Sequence, residues 1–247
     1  MFRDVFWVDG MKLRRSVVWP VIVLVPIFLS VVGVNNYAEH RDVFRGENLL
    51  GWMGAWTQVV FLYGTVLCPV LVGVYAGLIN RMEHMGGGWK LMLAYPITRT
   101  HVYLSKVLWV WLLIGFTTVM MFVSFWVIGW LYDVEGSFPL KTLSWMFVKG
   151  WLASLPLSAL FTWVSIQWKN FGMPIALNIV FVLPNVFIIN SSMGRIYPWS
   201  QPGYAMTPSD RLEYVPTDEH FFWVVIISTA LFLAGGIWHF HRTELKG

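Results

Sequence analysis

Two short patterns in the sequence could serve metal or phosphate chemistry, and both are incomplete. Glu83 and His84 are adjacent, but the partner histidine that a His-Glu-x-x-His zinc motif needs is absent. The segment Gly86–Lys90 has three glycines and a lysine without the Gly-x4-Gly-Lys-[Ser/Thr] spacing of a phosphate-binding loop. His239 and His241 stand two apart, which places them on different faces of a helix. The sequence therefore predicts no catalytic residue, no metal site and no ATP site in this chain.

Ionisable side chains are scarce throughout the sequence. Only 12% of the 247 residues are charged, 57% are apolar, and the mean hydropathy is +0.62. A soluble domain carries about 25% charged residues, so these values exclude a water-soluble globule and a disordered chain. They also exclude a nucleic-acid reader, because the 17 Lys and Arg residues are scattered between long uncharged runs. A single cysteine, Cys68, excludes a disulfide scaffold.

The uncharged runs are long enough to cross a bilayer as helices, which need about 20 apolar residues each. These runs are continuous and lack the alternation of barrel strands, which favours helices. The sequence predicts an all-α membrane protein in which residues 1–247 form one domain. Six membrane-spanning helices are expected, at residues 17–34, 57–79, 107–131, 149–167, 173–190 and 221–239.

The distribution of basic residues predicts the orientation. With the N-terminus inside, most of the 17 Lys and Arg residues fall in cytoplasmic parts, as the positive-inside rule requires. Six crossings then place both termini in the cytoplasm. Residues 1–15 are expected to lie along the inner leaflet as an interfacial segment, although Asp9 and Gly10 interrupt their apolar face. Residues 191–220 are expected to form a long, irregular and exposed external loop, more plausibly a passive connector than a gate.

Few polar groups remain inside the predicted spans. Lys149 lies at a span end, where its ammonium group can reach the interface. Asn178 and Asn185 could line a translocation path, although such residues more often hold helices together. The scarcity of ionisable groups at depth disfavours a proton-driven secondary transporter. The many tryptophans near span ends are explained by an aromatic belt.

The connection 80–106 is organised unlike a plain loop. Three glycines form a flexible break, the segment Trp89–Tyr95 is expected to form a short apolar helix, and Pro96 ends it. Thr98 or Thr100 can cap the next span. Such a helix suits docking into a groove of a soluble partner, and it equally suits an interfacial hairpin in the headgroup layer.

This connection contains a distinctive string of residues: Glu83, Trp89, Lys90, Leu93, Pro96, Arg99, Tyr103, Ser105 and Lys106. The string resembles the first cytoplasmic loop of type-2 ATP-binding-cassette exporter permeases, in particular the small six-span permeases of lantibiotic-immunity and bacitracin-resistance systems. The Phe-Arg-Asp segment before the first span and the absence of a fused nucleotide-binding domain agree with that family. Three glycines stand where polar residues would be expected before the tryptophan.

The resemblance implies a coupling helix within residues 80–106, held in a cleft of a separate ATPase subunit, that passes ATP-driven closure to the spans. Glu83 would orient the loop or pair with a basic residue of the ATPase. Trp89 and Leu93 would fill its groove. The set also contains two residues that would hold the loop against span ends or lipid phosphates, Arg99 and Lys106. Its other members are Pro96, which ends the short helix, and Lys90, which has no assigned role.

The expected function is that of the permease subunit of an ATP-driven exporter in the bacterial plasma membrane, not an enzyme by itself. It would work with an ATPase subunit, in two copies, that binds ATP and Mg²⁺, and with a second permease that is identical or related. The cargo would be an amphipathic antimicrobial peptide or a lipid-like molecule, removed from the membrane for immunity or resistance. The alternative is a non-transport membrane sensor or assembly protein that docks a cytosolic partner through residues 80–106.

Overall fold

The computed structural model is helical throughout the part of the chain that it describes, and no strand occurs in that part. The expected all-α class is confirmed. The described residues are 2–46, 51–85, 88–89, 97–168, 170–209 and 214–242.

In chain order the α-helices are α1 (Phe2–Leu13), α2 (Val18–Glu39), α3 (Arg41–Gly46), α4 (Trp52–Leu62), α5 (Cys68–His84), α6 (Arg99–Leu131), α7 (Leu140–Ala153), α8 (Leu155–Gln167), α9 (Gly172–Ile188), α10 (Gln201–Met206) and α11 (Asp218–Arg242). Five stretches are long and apolar enough to cross a membrane: α2, α4 with α5, α6, α7 with α8, and α11. The fifth expected span coincides with α9, a shorter apolar helix of 17 residues with a length of about 26 Å at 1.5 Å per residue, and the count of six stays a prediction. The protein is therefore a multi-pass membrane protein.

The second of these stretches is interrupted in its middle by a π-helical turn, Tyr63–Leu67, between α4 and α5, a feature at which helices kink. Pro69 follows this turn and has no N–H to give to the Thr65 carbonyl four residues earlier. A side chain of α9 replaces the missing donor, because Asn185 Nδ2 donates to Thr65 O at 2.8 Å. Asn178 Nδ2 donates to the carbonyl of Pro69 itself at 2.7 Å. The kink is thus stabilised by α9.

The segment 198–206 folds back into the helix bundle, and we call it the buried segment. It consists of one 3-10 turn, Pro198–Ser200, followed by α10. Trp56 donates its Nε1–H to the Met206 carbonyl at 2.8 Å, and a Cβ at Gly64 would lie 3.2 Å from the Cα of Gly203. The expectation of an irregular, exposed loop is wrong for these residues, because the side chains from Trp199 to Met206 are buried.

The two ends of the bundle differ in what they bring together. At one end, here the Arg99 end, the ring of Phe2 lies 6.1 Å from that of His101, and Thr100 Oγ1 is hydrogen-bonded to His241 Nε2 at 2.9 Å. The described chain therefore begins and ends at this end. The buried segment lies toward the other, here the Trp199 end.

Candidate functional site

Five side chains from α1, α5 and α6 form a continuous polar network at the Arg99 end, which we call the ion cluster. Glu83 Oε1 lies 2.6 Å from Nζ of Lys12 and 3.2 Å from Nζ of Lys106. Lys106 Nζ also lies 3.3 Å from Asp9 Oδ1. Ser105 Oγ donates to the second oxygen of Asp9 at 2.6 Å. The cluster joins the interfacial segment to the ends of two spans.

The ion cluster is largely withdrawn from solvent. Lys106 is 0% exposed, Glu83 1% and Asp9 2%, whereas the Lys12 side chain keeps 35% of its surface. Each buried charge would cost several kcal/mol if left unpaired. Two carboxylates and two ammonium groups balance one another, so the cluster is stable as a complete set.

α1 packs on α6 through the two residues that interrupt its apolar face. Asp9 enters the ion cluster. Gly10 makes room for the indole of Trp109, because a Cβ at residue 10 would lie 2.5 Å from Trp109 Cζ2. Trp109 stacks on Phe6 with ring centroids 4.6 Å apart and donates its Nε1–H to the Phe6 carbonyl at 2.8 Å. The opposite face of α1 exposes Trp7, which suits an interfacial helix.

Trp89 packs beside the ion cluster and is 4% exposed. Its ring centroid lies 5.7 Å from that of His84 and 5.8 Å from that of Phe240. The Lys106 ammonium stands 5.5 Å from the same ring centroid, within the range of a cation–π contact. Trp89 therefore fixes its segment to α5, α6 and α11.

The surroundings of Gly88 explain why one of the three positions in this connection is a glycine. A Cβ at this position would lie 2.9 Å from Glu83 Oε2 and 3.0 Å from the Glu83 Cα. The chain thus passes close to Glu83 where a side chain would collide with it. Gly86 and Gly87 lie outside the described residues.

The start of α6 holds the end of α11. Thr98 is the N-cap of α6, with its Oγ1 accepting from the backbone N–H of His101 at 3.4 Å. Arg99 donates to the carbonyls of Phe240 and His241 at 2.7 and 3.3 Å. A cation at the last carbonyls of a helix also interacts favourably with the negative end of the helix dipole. The last span is thereby tied to the connection between the second and third.

The structure gathers Glu83, Trp89, Arg99 and Lys106 from the predicted coupling set at the Arg99 end. The carboxylate of Glu83 and the indole of Trp89 contact other parts of the same chain, rather than an outward surface. Their roles toward an ATPase subunit stay predictions. The remaining members of the set, Lys90, Leu93 and Pro96, lie outside the described residues.

Sequence reasoning missed three members of the ion cluster: Asp9, Lys12 and Ser105. One signal was available in Asp9, an acid in the middle of a segment whose other buried positions are apolar. A carboxylate at such a position needs a cation, and Lys106 is the basic residue directly before the third expected span.

The two asparagines of the predicted translocation path lie apart from the ion cluster, against the buried segment. Trp199 donates its Nε1–H to Asn178 Oδ1 at 3.0 Å. Asn185 Nδ2 donates to the Trp199 carbonyl at 3.0 Å, and its Oδ1 accepts from the Ser200 hydroxyl. Both amides are fully buried. They hold helices and the buried segment together in this structure, and the translocation path stays a prediction.

Among the residues that the structure describes, no group of three or more His, Cys, Asp and Glu side chains could hold a metal ion. Comparison with protein-family models matches residues 5–185 to the ABC-2 family transporter protein model. The matched range contains the whole ion cluster. No curated protein matches the chain.

Proposed function

Because the chain belongs to the ABC-2 family of transporter proteins, we propose that it is the membrane-spanning permease subunit of an ATP-driven exporter. The family match over residues 5–185 is the observation that carries this proposal. Six spans with both termini in the cytoplasm, two copies of a separate ATPase subunit and a second permease, identical or related, complete the assembly. ATP and Mg²⁺ bind to the ATPase subunits.

The contacts at the Arg99 end support a coupling role for residues 80–106. The ion cluster joins α1, the end of α5 and the start of α6, and Trp89 attaches the connection to the same place. Arg99 extends this set of contacts to α11. A displacement of the connection by an ATPase would therefore reach three spans through short polar contacts and would not be absorbed by a flexible link.

The cargo is an amphipathic antimicrobial peptide or a lipid-like molecule, cleared from the bacterial plasma membrane for immunity or resistance. The resemblance of the 80–106 connection to lantibiotic-immunity and bacitracin-resistance permeases supports this substrate class. Large apolar side chains cover the outer faces of α2, α6, α9 and α11. Apolar surfaces of this kind suit a cargo that is itself dissolved in the membrane better than they suit a small ion.

The experiment is a mild-detergent pull-down from native membranes, with mass spectrometry of the bound proteins and an ATPase assay on the complex. Leu93→Asp tests the docking position, and Leu140→Asp, at an exposed leucine of the other end, is its matched control. We expect an ATPase subunit to accompany the wild type and the control but not Leu93→Asp. Purification without any nucleotide-binding partner would instead favour the sensor or assembly protein.

A further inference from the structure

A cavity of about 510 Å³ opens between the end of α5 and the start of α9, separate from the ion cluster. Its wall combines a guanidinium, an imidazole and an amide with a phenyl ring and a thioether. Such a mixture suits a ligand that is charged at one end and apolar at the other. The lining residues are Arg81, His84, Met85, Asn170, Phe171 and Gly172.

Arg81 is the charged group of this cavity, and no described residue neutralises its charge. No carboxylate lies within ion-pair distance of its exposed guanidinium in the described part of the chain, where its recorded contact is the Phe171 ring at 5.7 Å. Glu83, on the same helix, and Asp9 are both occupied by the lysines of the ion cluster. Arg81 therefore remains available to an external anion.

Asn170 supplies a second donor. Its Oδ1 accepts the backbone N–H of Gly172 at 2.9 Å, which orients the amide across the turn before α9. The same bond occupies the Gly172 amide. The Nδ2 group has no recorded acceptor in the described part of the chain and lies in the same lining as the Arg81 guanidinium. Two donors on separate elements suit an anion with several oxygens.

The level of the cavity identifies the ligand. α4 and α5 with the turn between them form a stretch of 33 residues, about 50 Å long, against a hydrocarbon layer of about 30 Å. Arg81 is three residues from the end of that stretch, so with the stretch centred on the hydrocarbon it lies beyond that layer, at the level of phospholipid phosphates. Phe171 and Met85 face the same space and can contact the glycerol and upper acyl groups.

We propose that this cavity binds the phosphate group of an anionic phospholipid, with the Arg81 guanidinium on the phosphate oxygens. A guanidinium presents paired N–H donors that match a phosphate, whereas an ammonium acts as a point charge. The inference goes beyond the permease function, since it concerns a lipid bound by this chain alone.

The test is native mass spectrometry of the purified chain titrated with phosphatidylglycerol. We expect one tightly bound lipid, a loss of affinity of about tenfold in Arg81→Gln and a smaller loss in Arg81→Lys. Arg15→Gln is the matched control, because Arg15 is an exposed basic residue after α1, at the same end of the bundle. Its affinity should equal that of the wild type. Equal binding by Arg81→Gln and wild type, or an equal loss in Arg15→Gln, would overturn the proposal.

Competition with inorganic phosphate separates a lipid headgroup from the free ion. Retention of phosphatidylglycerol at an equal concentration of phosphate supports the lipid site, since phosphate alone lacks the groups that contact Phe171 and Met85. Displacement at equal concentration identifies the free ion as the ligand and overturns the lipid assignment. Arg81→Gln and Arg81→Lys should both keep the thermal unfolding temperature of the wild type, which excludes loss of fold as the cause of weaker binding.

Discussion

The two ends of the bundle bury polar groups in different ways. At the Arg99 end the buried groups include full charges, with Lys106 between Asp9 and Glu83. At the Trp199 end they are neutral amides, hydroxyls and indoles, and Asn178 and Asn185 donate to backbone carbonyls. Both sets connect elements that are far apart in the sequence.

Access to water accounts for the difference. The ion cluster reaches the surface through Lys12, whereas Asn185 and Ser200 are fully buried. A buried charge that loses its partner costs several kcal/mol, whereas a side-chain hydrogen bond inside a membrane protein contributes about 0.6 kcal/mol on average. The ion cluster therefore depends on all its members at once, and the neutral contacts contribute separate, smaller amounts.

The largest effect is expected from Lys106→Met. This change leaves two buried carboxylates with Lys12 as their one cation in the cluster, and should lower the free energy of unfolding by about 3–5 kcal/mol. Denaturant titration in mixed micelles measures it. Adding Asp9→Asn and Glu83→Gln removes the unbalanced charges and should restore most of the stability, whereas a triple variant as unstable as Lys106→Met would show that charge balance is not the cause. Lys141→Met, at an exposed lysine, is the control.

A smaller loss is expected from Asn185→Ala. Three hydrogen bonds disappear, to Thr65, Trp199 and Ser200. At about 0.6 kcal/mol for each bond in a membrane protein, the free energy of unfolding should fall by about 2 kcal/mol in the same titration. Asn190→Ala, at an exposed asparagine, should change it little. A loss as large as that of Lys106→Met would remove the distinction between the two ends.

Gly10→Ala should weaken the packing of α1 on α6 and leave the other contacts at the Arg99 end unchanged. The added methyl group displaces the Trp109 ring and should cost about 1 kcal/mol. Hydrogen exchange should accelerate in the amides of α1 and stay unchanged in α2. Gly172→Ala is the control, because a Cβ there meets just one atom, Asn170 Oδ1 at 3.4 Å. Unchanged exchange in α1 would mean that Gly10 is not needed for its packing on α6.

The smallest effect is expected from Lys149→Gln. Lys149 pairs with Asp218 at 3.0 Å, but the Asp218 side chain is two-thirds exposed. Exposed pairs contribute about 0.2–1 kcal/mol and are screened by salt. The titration should show a loss below about 1 kcal/mol that vanishes at high ionic strength. A loss of stability that persists in concentrated salt would mean that this pair behaves like the buried charges of the ion cluster.

The sequence predicts the helical segments well, because long apolar runs in a membrane leave the backbone few alternatives to a helix. Bounds are less accurate where charge interrupts a run. The fourth span was expected at residues 149–167, whereas the helical stretch is Leu140–Gln167, since Lys141 and Lys149 hide its first half from a search for uncharged residues. Thr98, one of two expected caps, is the residue that caps α6.

The candidate site was predictable only in part, because its contacts join residues far apart in the chain. Lys106 and Asp9 are separated by 97 positions, and their pairing depends on which face of α1 packs on α6. The aromatic-belt interpretation has the same limit, since Trp56 and Trp109 donate to backbone carbonyls of other helices. In the buried segment, the Ser200 hydroxyl and the Gln201 Nε2 group donate hydrogen bonds that no local sequence pattern predicts.

The kink of the second span has a consequence for the order of biosynthesis. The Thr65 carbonyl receives its side-chain donor from a residue 120 positions later, and the Trp56 indole finds its acceptor 150 positions later. Translation therefore delivers the kinked span to the membrane well before its partners leave the ribosome. α10, with six residues, is far too short to insert by itself and must enter a cleft that earlier helices have already formed. Closure of the bundle around the buried segment thus follows the insertion of the spans that precede it.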